Sequence, residues 1–251
     1  MSLHDYSQSD LAKDMSRSAD IHALYVFKGR SKRATVAYRA VFLLFSVTSL
    51  IRETDYFLGK QRLGAMFAFL TQLSAILTCI LLIVGIIQAV GVNLENPKSK
   101  LSAVYGVLFS VCASVETQVT VVYWAYLSWS WHIPKVVNTC ENRLICHYFN
   151  VMVHGFPSFV TWFMLLTEPT FIPKSDYLWM LGYIGVFFAI HIPYTLLNKP
   201  LYPFVDFRTI WGYLAILVVV LFSTGSFLLV KWASDKVRKS RGYNLAEQME
   251  S

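Results

Sequence analysis

The stretch GAMFAFLTQLSAILTCILLIVGIIQAVG, residues 64–91, contains no Asp, Glu, Lys or Arg. An α-helix rises about 1.5 Å per residue, so roughly 20 residues cross the ~30 Å hydrocarbon core of a bilayer. Backbone polar groups in lipid have to hydrogen-bond within the segment itself, and a helix satisfies them most simply. The stretch therefore predicts a membrane-spanning helix.

The composition of the whole chain agrees with that prediction. Of its 251 residues, 55% are hydrophobic, 16% aromatic and only 15% charged, with a mean hydropathy of +0.48. A soluble domain of this length cannot bury so much apolar surface. We therefore expect an integral membrane protein.

Six apolar segments have a length suited to crossing a bilayer. They lie at about 36–53, 64–91, 101–128, 145–167, 177–197 and 208–233. The first is interrupted by Arg39 and closed by Arg52. The predicted fold is all-α and polytopic. A bundle of six transmembrane helices over 36–233 follows a polar and basic tail (1–35) and precedes a basic, then polar tail (234–251).

The distribution of Lys and Arg predicts the orientation of this bundle. With six spans and a cytosolic N-terminus, 15 of the 22 basic residues fall in cytosolic segments. The positive-inside rule therefore places both termini in the cytosol. Basic residues that flank spans face anionic lipid, so we expect membrane lipids and no nucleic acid as partners. The endoplasmic reticulum is the expected location, with the plasma membrane as the alternative.

The four cysteines have no spacing typical of a metal site, and we expect neither a metal nor another cofactor. Cys79 and Cys112 fall inside predicted spans, where cysteine behaves as a small apolar residue. Cys140 and Cys146 lie near a predicted outer loop, and whether they form a disulfide is left open.

Three ionisable residues inside the spans need an explanation, because insertion of a charged side chain costs about 2.5 to 3.5 kcal/mol. They are Glu116, His154 and His191. With ~1.5 Å per residue, His154 lies roughly 13 Å and His191 about 9 Å below the outer end of its span. Thr71 and Gln72 lie about 10 Å deep by the same rise. We therefore expect Thr71, His154 and His191 to face one cavity.

Glu116 lies a few ångströms lower, and it either supports this cavity or forms a separate buried hydrogen bond. Asn150 precedes His154 by one helical turn and shares its helix face. Pro157, just beyond, predicts a bend in the fourth span around a cavity. Tyr123 is interpreted as a packing or interface residue.

These residue types suit acyl transfer within the membrane. A threonine hydroxyl becomes nucleophilic when a neighbouring histidine takes its proton, which fits Thr71 and His154. Asn150 or Gln72 would then stabilise the oxyanion. The alternative for Thr71 is a bond to its own helix backbone, and for His154 a hydrogen bond between helices.

Three features together resemble the androgen-induced protein family. They are FLTQL in the second span, the Asn150-x-x-x-His154 spacing, and His191 ahead of Tyr202-Pro203-Phe204. The resemblance implies six spans with cytosolic termini and a threonine hydrolase of fatty acid esters of hydroxy fatty acids. It implies Thr71 as nucleophile and His154 as base. His191 and Glu116 are expected in support from their position in the spans alone.

The chain also departs from the family's pattern. Val151 and Gly155 stand where the family often has His and Thr, and the interval from His191 to Tyr202 is longer. These departures concern the range of substrates more than the reaction. Two other functions remain open: a small proton-coupled transporter that relays protons through Glu116, His154 and His191, and a non-catalytic membrane scaffold.

Overall fold

The computed structural model describes residues 32–59, 63–91, 100–128, 143–168, 170–198, 200, 202 and 205–241. All regular structure in these ranges is helical. The helices are α1 Lys32–Gly59, α2 Leu63–Ala68, α3 Leu70–Gly91, α4 Lys100–Val122, α5 Arg143–His154, α6 Phe156–Thr167, α7 Asp176–Leu197 and α8 Ile210–Ser240. A wider, π-helical turn continues α4 over residues 123–128.

Five of these helices are long and apolar enough to cross a membrane: α1, α3, α4 with its continuation, α7 and α8. The pair α5 and α6 passes the same test jointly but is bent by 42° at Gly155, so the number becomes six if the pair is one span. The all-helical fold and its multi-pass membrane character are confirmed. The second predicted segment contains an unexpected break at Phe69, and the fourth is interrupted at Gly155, two residues before Pro157.

Helix α4 is the centre of the bundle. It packs against α3, α6, α7 and α8. In the most apolar 18 residues of α4, 72% of the residues are buried, against 22% in the matching parts of α1 and α8. The outer helices present large apolar side chains such as Leu44, Ile87 and Leu217 at the surface. Such a surface fits lipid, which is as apolar as these side chains.

A buried ion pair holds one end of the bundle together. Nη2 of Arg39 lies 2.7 Å from Oε2 of Glu168, and both side chains are fully buried. Arg39 also donates to the hydroxyl of Tyr105 (2.8 Å) and to the carbonyl of Gly85. The charge that interrupts the first apolar segment is thus neutralised inside the protein, which explains how α1 accommodates it.

The connector between α6 and α7 is packed at this same end. Thr170 and Ile172 are buried within it. The Ser234 hydroxyl donates to the carbonyl of Thr170, and the guanidinium of Arg241 donates to the carbonyls of Leu166 and Thr167. The start of α1, this connector and the end of α8 therefore lie together. Glu53, Gln72 and Tyr123 lie at the opposite ends of α1, α3 and the continued α4, and His154 lies in the middle of the bent pair.

Candidate functional site

The bend between α5 and α6 organises the candidate site. Helix α5 ends at His154, Gly155 follows, and Pro157 occupies the first turn of α6. Proline has no N–H to continue the helical ladder, so this turn cannot make a regular continuation of α5. The amide of Gly155 still donates to the carbonyl of Val151 at 2.8 Å. The predicted bend at Pro157 is confirmed, with an angle of 42°.

His154 is held from two sides by the end of α4. The hydroxyl of Thr120 donates to the His154 carbonyl at 2.7 Å. The imidazole is stacked on the ring of Tyr123, with 3.5 Å between the ring centres and 5° between the planes. Thr120 and Tyr123 are three residues apart, so they lie on one face of their helix. Both the backbone and the ring of His154 are therefore positioned by α4.

Asn150 belongs to the same cluster. The Tyr123 hydroxyl donates to Oδ1 of Asn150, whose residue is 4% exposed. Among the described residues, Nδ2 of Asn150 has no hydrogen-bond partner. A buried donor without a partner is costly, and it is suited to a ligand that brings an acceptor. The expectation that Asn150 and His154 share a helix face agrees with their joint contact to Tyr123.

A small cleft lies beside the bend, and we call it the bend cleft. It is lined by Ser46, Ser49, Leu50 and Glu53 of α1, Gln72 and Ala75 of α3, and Met152, Val153 and Pro157 of the bent pair. Nε2 of Gln72 donates to Oε2 of Glu53 at 3.4 Å. The bend cleft has a cavity volume of about 10 Å³, which is close to the room that one water needs.

Thr71 and His154 are each the direct neighbour of a residue that lines the bend cleft. Thr71 precedes Gln72, and His154 follows Val153. Thr71 is 7% exposed, and its carbonyl accepts a hydrogen bond from the Ser74 hydroxyl at 2.9 Å. In the described part of the chain, no hydrogen bond joins the Thr71 hydroxyl to the His154 ring. The structure thus brings the immediate neighbours of both residues to one cleft, with the His154 ring stacked on Tyr123.

His191 lies beside the break between α2 and α3. Its Nδ1 lies 2.7 Å from the carbonyl of Ala68, and its Nε2 lies 3.4 Å from the Thr195 hydroxyl. If Nδ1 donates to that carbonyl, Nε2 accepts from Thr195 and the ring is neutral. His191 therefore hydrogen-bonds to the carbonyl of Ala68, the last residue before the break at Phe69. Ala68 lies three residues before Thr71.

Tyr202 supports the same break. Its ring lies 5.4 Å from that of Phe69 and 5.5 Å from that of His191. It is hydrogen-bonded to the backbone of Leu70, and burial raises the pKa of its phenol. Thr71, His154 and His191 are not among the described residues that line the bend cleft, and the single cavity expected for the three stays a prediction.

Glu116 lies in a separate polar cluster between α3 and α4. It is fully buried, and the Thr78 hydroxyl donates to its Oε1 at 3.0 Å. The same hydroxyl lies 3.1 Å from Sγ of Cys112. The polar contacts of Glu116 therefore join two helices, and none of these partners belongs to the group around His154.

The cysteines behave partly as expected. Cys79 and Cys112 are buried free thiols. The pairing of Cys140 with Cys146 lies outside what the structure describes. Within the described ranges, no group of three or more His, Cys, Asp or Glu side chains is arranged to hold a metal ion.

Sequence reasoning missed two residues of this region, Tyr123 and Glu53. The spacing of Thr120 and Tyr123 was the available signal, because it puts two hydroxyl-bearing side chains on one face of a span. Glu53 offered a weaker signal, a carboxyl group at the end of an apolar segment.

Comparison with family models, with curated proteins and with solved structures found no match. The function of the chain therefore has to be argued from its own residues and geometry.

Proposed function

We propose that the chain is an integral membrane esterase that hydrolyses fatty acid esters of hydroxy fatty acids or related fatty esters. Thr71 is the nucleophile and His154 is the base. The observation that carries the proposal is the bend cleft, where the residue after Thr71 and the residue before His154 line one opening. An opening beside a bent span, lined by Glu53 and Gln72 within a mostly apolar wall, is a suitable place for ester chemistry in lipid, since irregular backbone at membrane depth normally lines a cavity.

The topology belongs to the proposal as well. Counting the bent pair as one span gives six crossings, and the Lys and Arg distribution then favours cytosolic termini. The predicted location is the endoplasmic reticulum. The substrate reaches the site from the bilayer, because its acyl chains are apolar.

The reaction proceeds in two halves. The Thr71 oxygen attacks the ester carbonyl while His154 takes its proton, and the proton then passes to the departing hydroxyl group. Water hydrolyses the acyl-threonine, which frees the fatty acid and restores Thr71. Proton transfer requires the Thr71 hydroxyl within hydrogen-bond reach of the His154 ring, a contact that the proposal assigns to the substrate complex.

Two side chains support the oxyanion in this proposal. The buried Nδ2 of Asn150 is an available donor one turn before His154. Gln72 lies in the cleft with its Nε2 directed to Glu53. Loss of one such donor reduces turnover by roughly 100- to 1,000-fold in other hydrolases. We expect Asn150→Leu to reduce turnover by a similar factor.

A fluorophosphonate probe tests the proposal, because it labels hydroxyl nucleophiles that a base activates. We expect the full-length protein in membranes to be labelled, and Thr71→Ala and His154→Ala each to abolish labelling. Thr48→Ala is the matched control, since that hydroxyl donates to the backbone of its own helix at Leu44. Labelling and ester turnover that persist in Thr71→Ala would contradict the assignment.

A further inference from the structure

We propose that Tyr123 is a positioning residue for His154, acting through its ring on the imidazole and through its hydroxyl on Asn150. We call Tyr123, Asn150 and His154 together the tyrosine clamp. This inference rests on the proposed function, because it concerns how the proposed base is held. It gives a role to Tyr123, which the sequence alone indicated as a packing or interface residue.

The first observation is the stack itself. A separation of 3.5 Å with planes within 5° is direct face contact between the phenol and the imidazole. The imidazole cannot rotate about its side-chain bonds without losing this contact. During the base step His154 becomes positively charged, and an aromatic face attracts a cation. The stack therefore restricts the orientation of the ring and favours the charged form that the reaction generates.

The second observation is that Tyr123 is fixed in turn. Its hydroxyl donates to Oδ1 of Asn150, on the same helix as His154 and one turn before it. The Thr120 hydroxyl holds the carbonyl of His154 at 2.7 Å. The end of α4 therefore contacts α5 at the backbone and ring of His154 and at the side chain of Asn150. A base oriented by a further group is the general arrangement of nucleophilic sites.

The third observation concerns the backbone of Tyr123. The regular α-helix ends at Val122, and the π-helical turn begins at Tyr123. Such turns are rare, and they occur frequently at functional sites. This feature is independent of the stack, because it belongs to α4 alone. It indicates that the position of Tyr123 is specified by the helix and does not follow from packing on α5 alone.

The tyrosine clamp adjoins the bend cleft along α5. Met152 and Val153 line the cleft, and both lie between Asn150 and His154 in the chain. The clamp therefore lies next to the opening where the proposed substrate carbonyl is bound. The ring of Tyr123, its hydroxyl and the nearby hydroxyl of Thr120 all contact His154 or Asn150. Packing alone does not require all three contacts to converge there.

The experiment measures kcat and KM for hydrolysis of a branched fatty ester by the full-length protein in liposomes. General base catalysis contributes about 100- to 10,000-fold, so we expect Tyr123→Leu to lower kcat by roughly 10- to 100-fold with KM changed less than about twofold. Tyr123→Phe keeps the stack, so it should restore most of this loss. Tyr126→Leu is the matched control, because Tyr126 lies in the same wide turn with 55% exposure.

A kcat for Tyr123→Leu equal to that of Tyr126→Leu would overturn the inference, and so would a change confined to KM. If Tyr123→Leu does not fold, Tyr123→Met, which keeps a long apolar side chain but removes the ring and the hydroxyl, takes its place. The clamp predicts that Tyr123→Met lowers kcat by about 10-fold or more with KM changed less than about twofold, whereas a kcat equal to that of Tyr126→Leu would contradict it.

Failure of the proposed function has a separate signature. Turnover that survives in both Thr71→Ala and His154→Ala removes the assigned nucleophile and base, and a wild-type protein without ester turnover removes the esterase assignment, whatever Tyr123 does. The rate at which diethyl pyrocarbonate modifies His154, followed by peptide mass spectrometry, then tests the clamp without reference to activity. The clamp predicts faster modification in Tyr123→Leu than in wild type and in Tyr126→Leu. Equal rates in all three would overturn it.

Discussion

The ring of Tyr123 lies parallel to the imidazole of His154 at 3.5 Å, while its hydroxyl donates to the side chain of Asn150. This relationship joins the central helix to the bent span at the point where the bend begins. The proposed base is therefore held by a helix that neither carries it nor supplies the nucleophile. The predictions below test the bend, the helix contacts that support it and the chemistry in turn.

Gly155 at the bend should not tolerate a side chain. A Cβ at this position would lie 3.0 Å from the carbonyl of Val151, which is backbone and cannot move freely. We expect Gly155→Ala to destabilise the protein by about 1 to 3 kcal/mol, the usual cost of overpacking, and to lower turnover. The measurement is the unfolding midpoint in detergent.

Gly182→Ala is the control for this prediction. Its Cβ would meet nothing within 4 Å in a regular helix. Alanine is favoured over glycine inside a helix by about 0.5 to 1 kcal/mol, so the control should be neutral or slightly stabilising. Equal effects at the two glycines would show that the bend is not constrained as described.

The pair of Arg39 and Glu168 should be essential for stability. Both groups are fully buried, and removal of one partner leaves an uncompensated charge, which typically costs about 3 to 5 kcal/mol. We expect Arg39→Met to lower the free energy of unfolding by that amount. Lys231→Met removes one member of a partly exposed pair with Asp235 and should cost less than about 1 kcal/mol.

Replacement of both charges separates two explanations for that loss. If the buried charge of Glu168 is the cause, Arg39→Met combined with Glu168→Met should be more stable than Arg39→Met alone. A double variant that is weaker than the single variant would mean that packing around Arg39 dominates.

His191 should act through the break between α2 and α3. His191→Leu leaves the carbonyl of Ala68 without its partner, at a cost of about 1 to 3 kcal/mol. Because this break lies three residues before Thr71, we also expect turnover to fall. Leu196→Ala, at an exposed position of the same helix, is the control. Wild-type stability and turnover in His191→Leu would contradict this role.

Much of the fold followed from apolar segments, because a bilayer allows few ways to satisfy a backbone. The bend at Pro157 was predictable for the same reason, since proline lacks the N–H that a helix needs. The partner of Arg39 was not predictable, because Glu168 lies 129 residues away. The contact of Tyr123 with His154 depends on how α4 and α5 pack, which helical periodicity within each span does not specify.

Glu116 distinguishes the esterase from a proton-coupled transporter. Its Oε1 accepts a hydrogen bond from Thr78, whose hydroxyl also contacts Cys112, and neither residue belongs to the tyrosine clamp. We expect Glu116→Gln, which keeps the size and hydrogen-bonding capacity of the side chain, to retain ester turnover within about threefold, that is, within about 0.7 kcal/mol. Loss of turnover would contradict this separation, and pH-dependent flux in liposomes without ester turnover would favour the transporter.

The central claim is that Thr71 is the nucleophile and depends on His154. Mass spectrometry of peptides from the fluorophosphonate-labelled, full-length protein tests it most directly, because the adduct identifies the attacking oxygen. We predict an adduct on Thr71 in wild type and none in His154→Ala. An adduct on another residue, such as Ser74 or Thr78, or an undiminished adduct in His154→Ala, would contradict the claim.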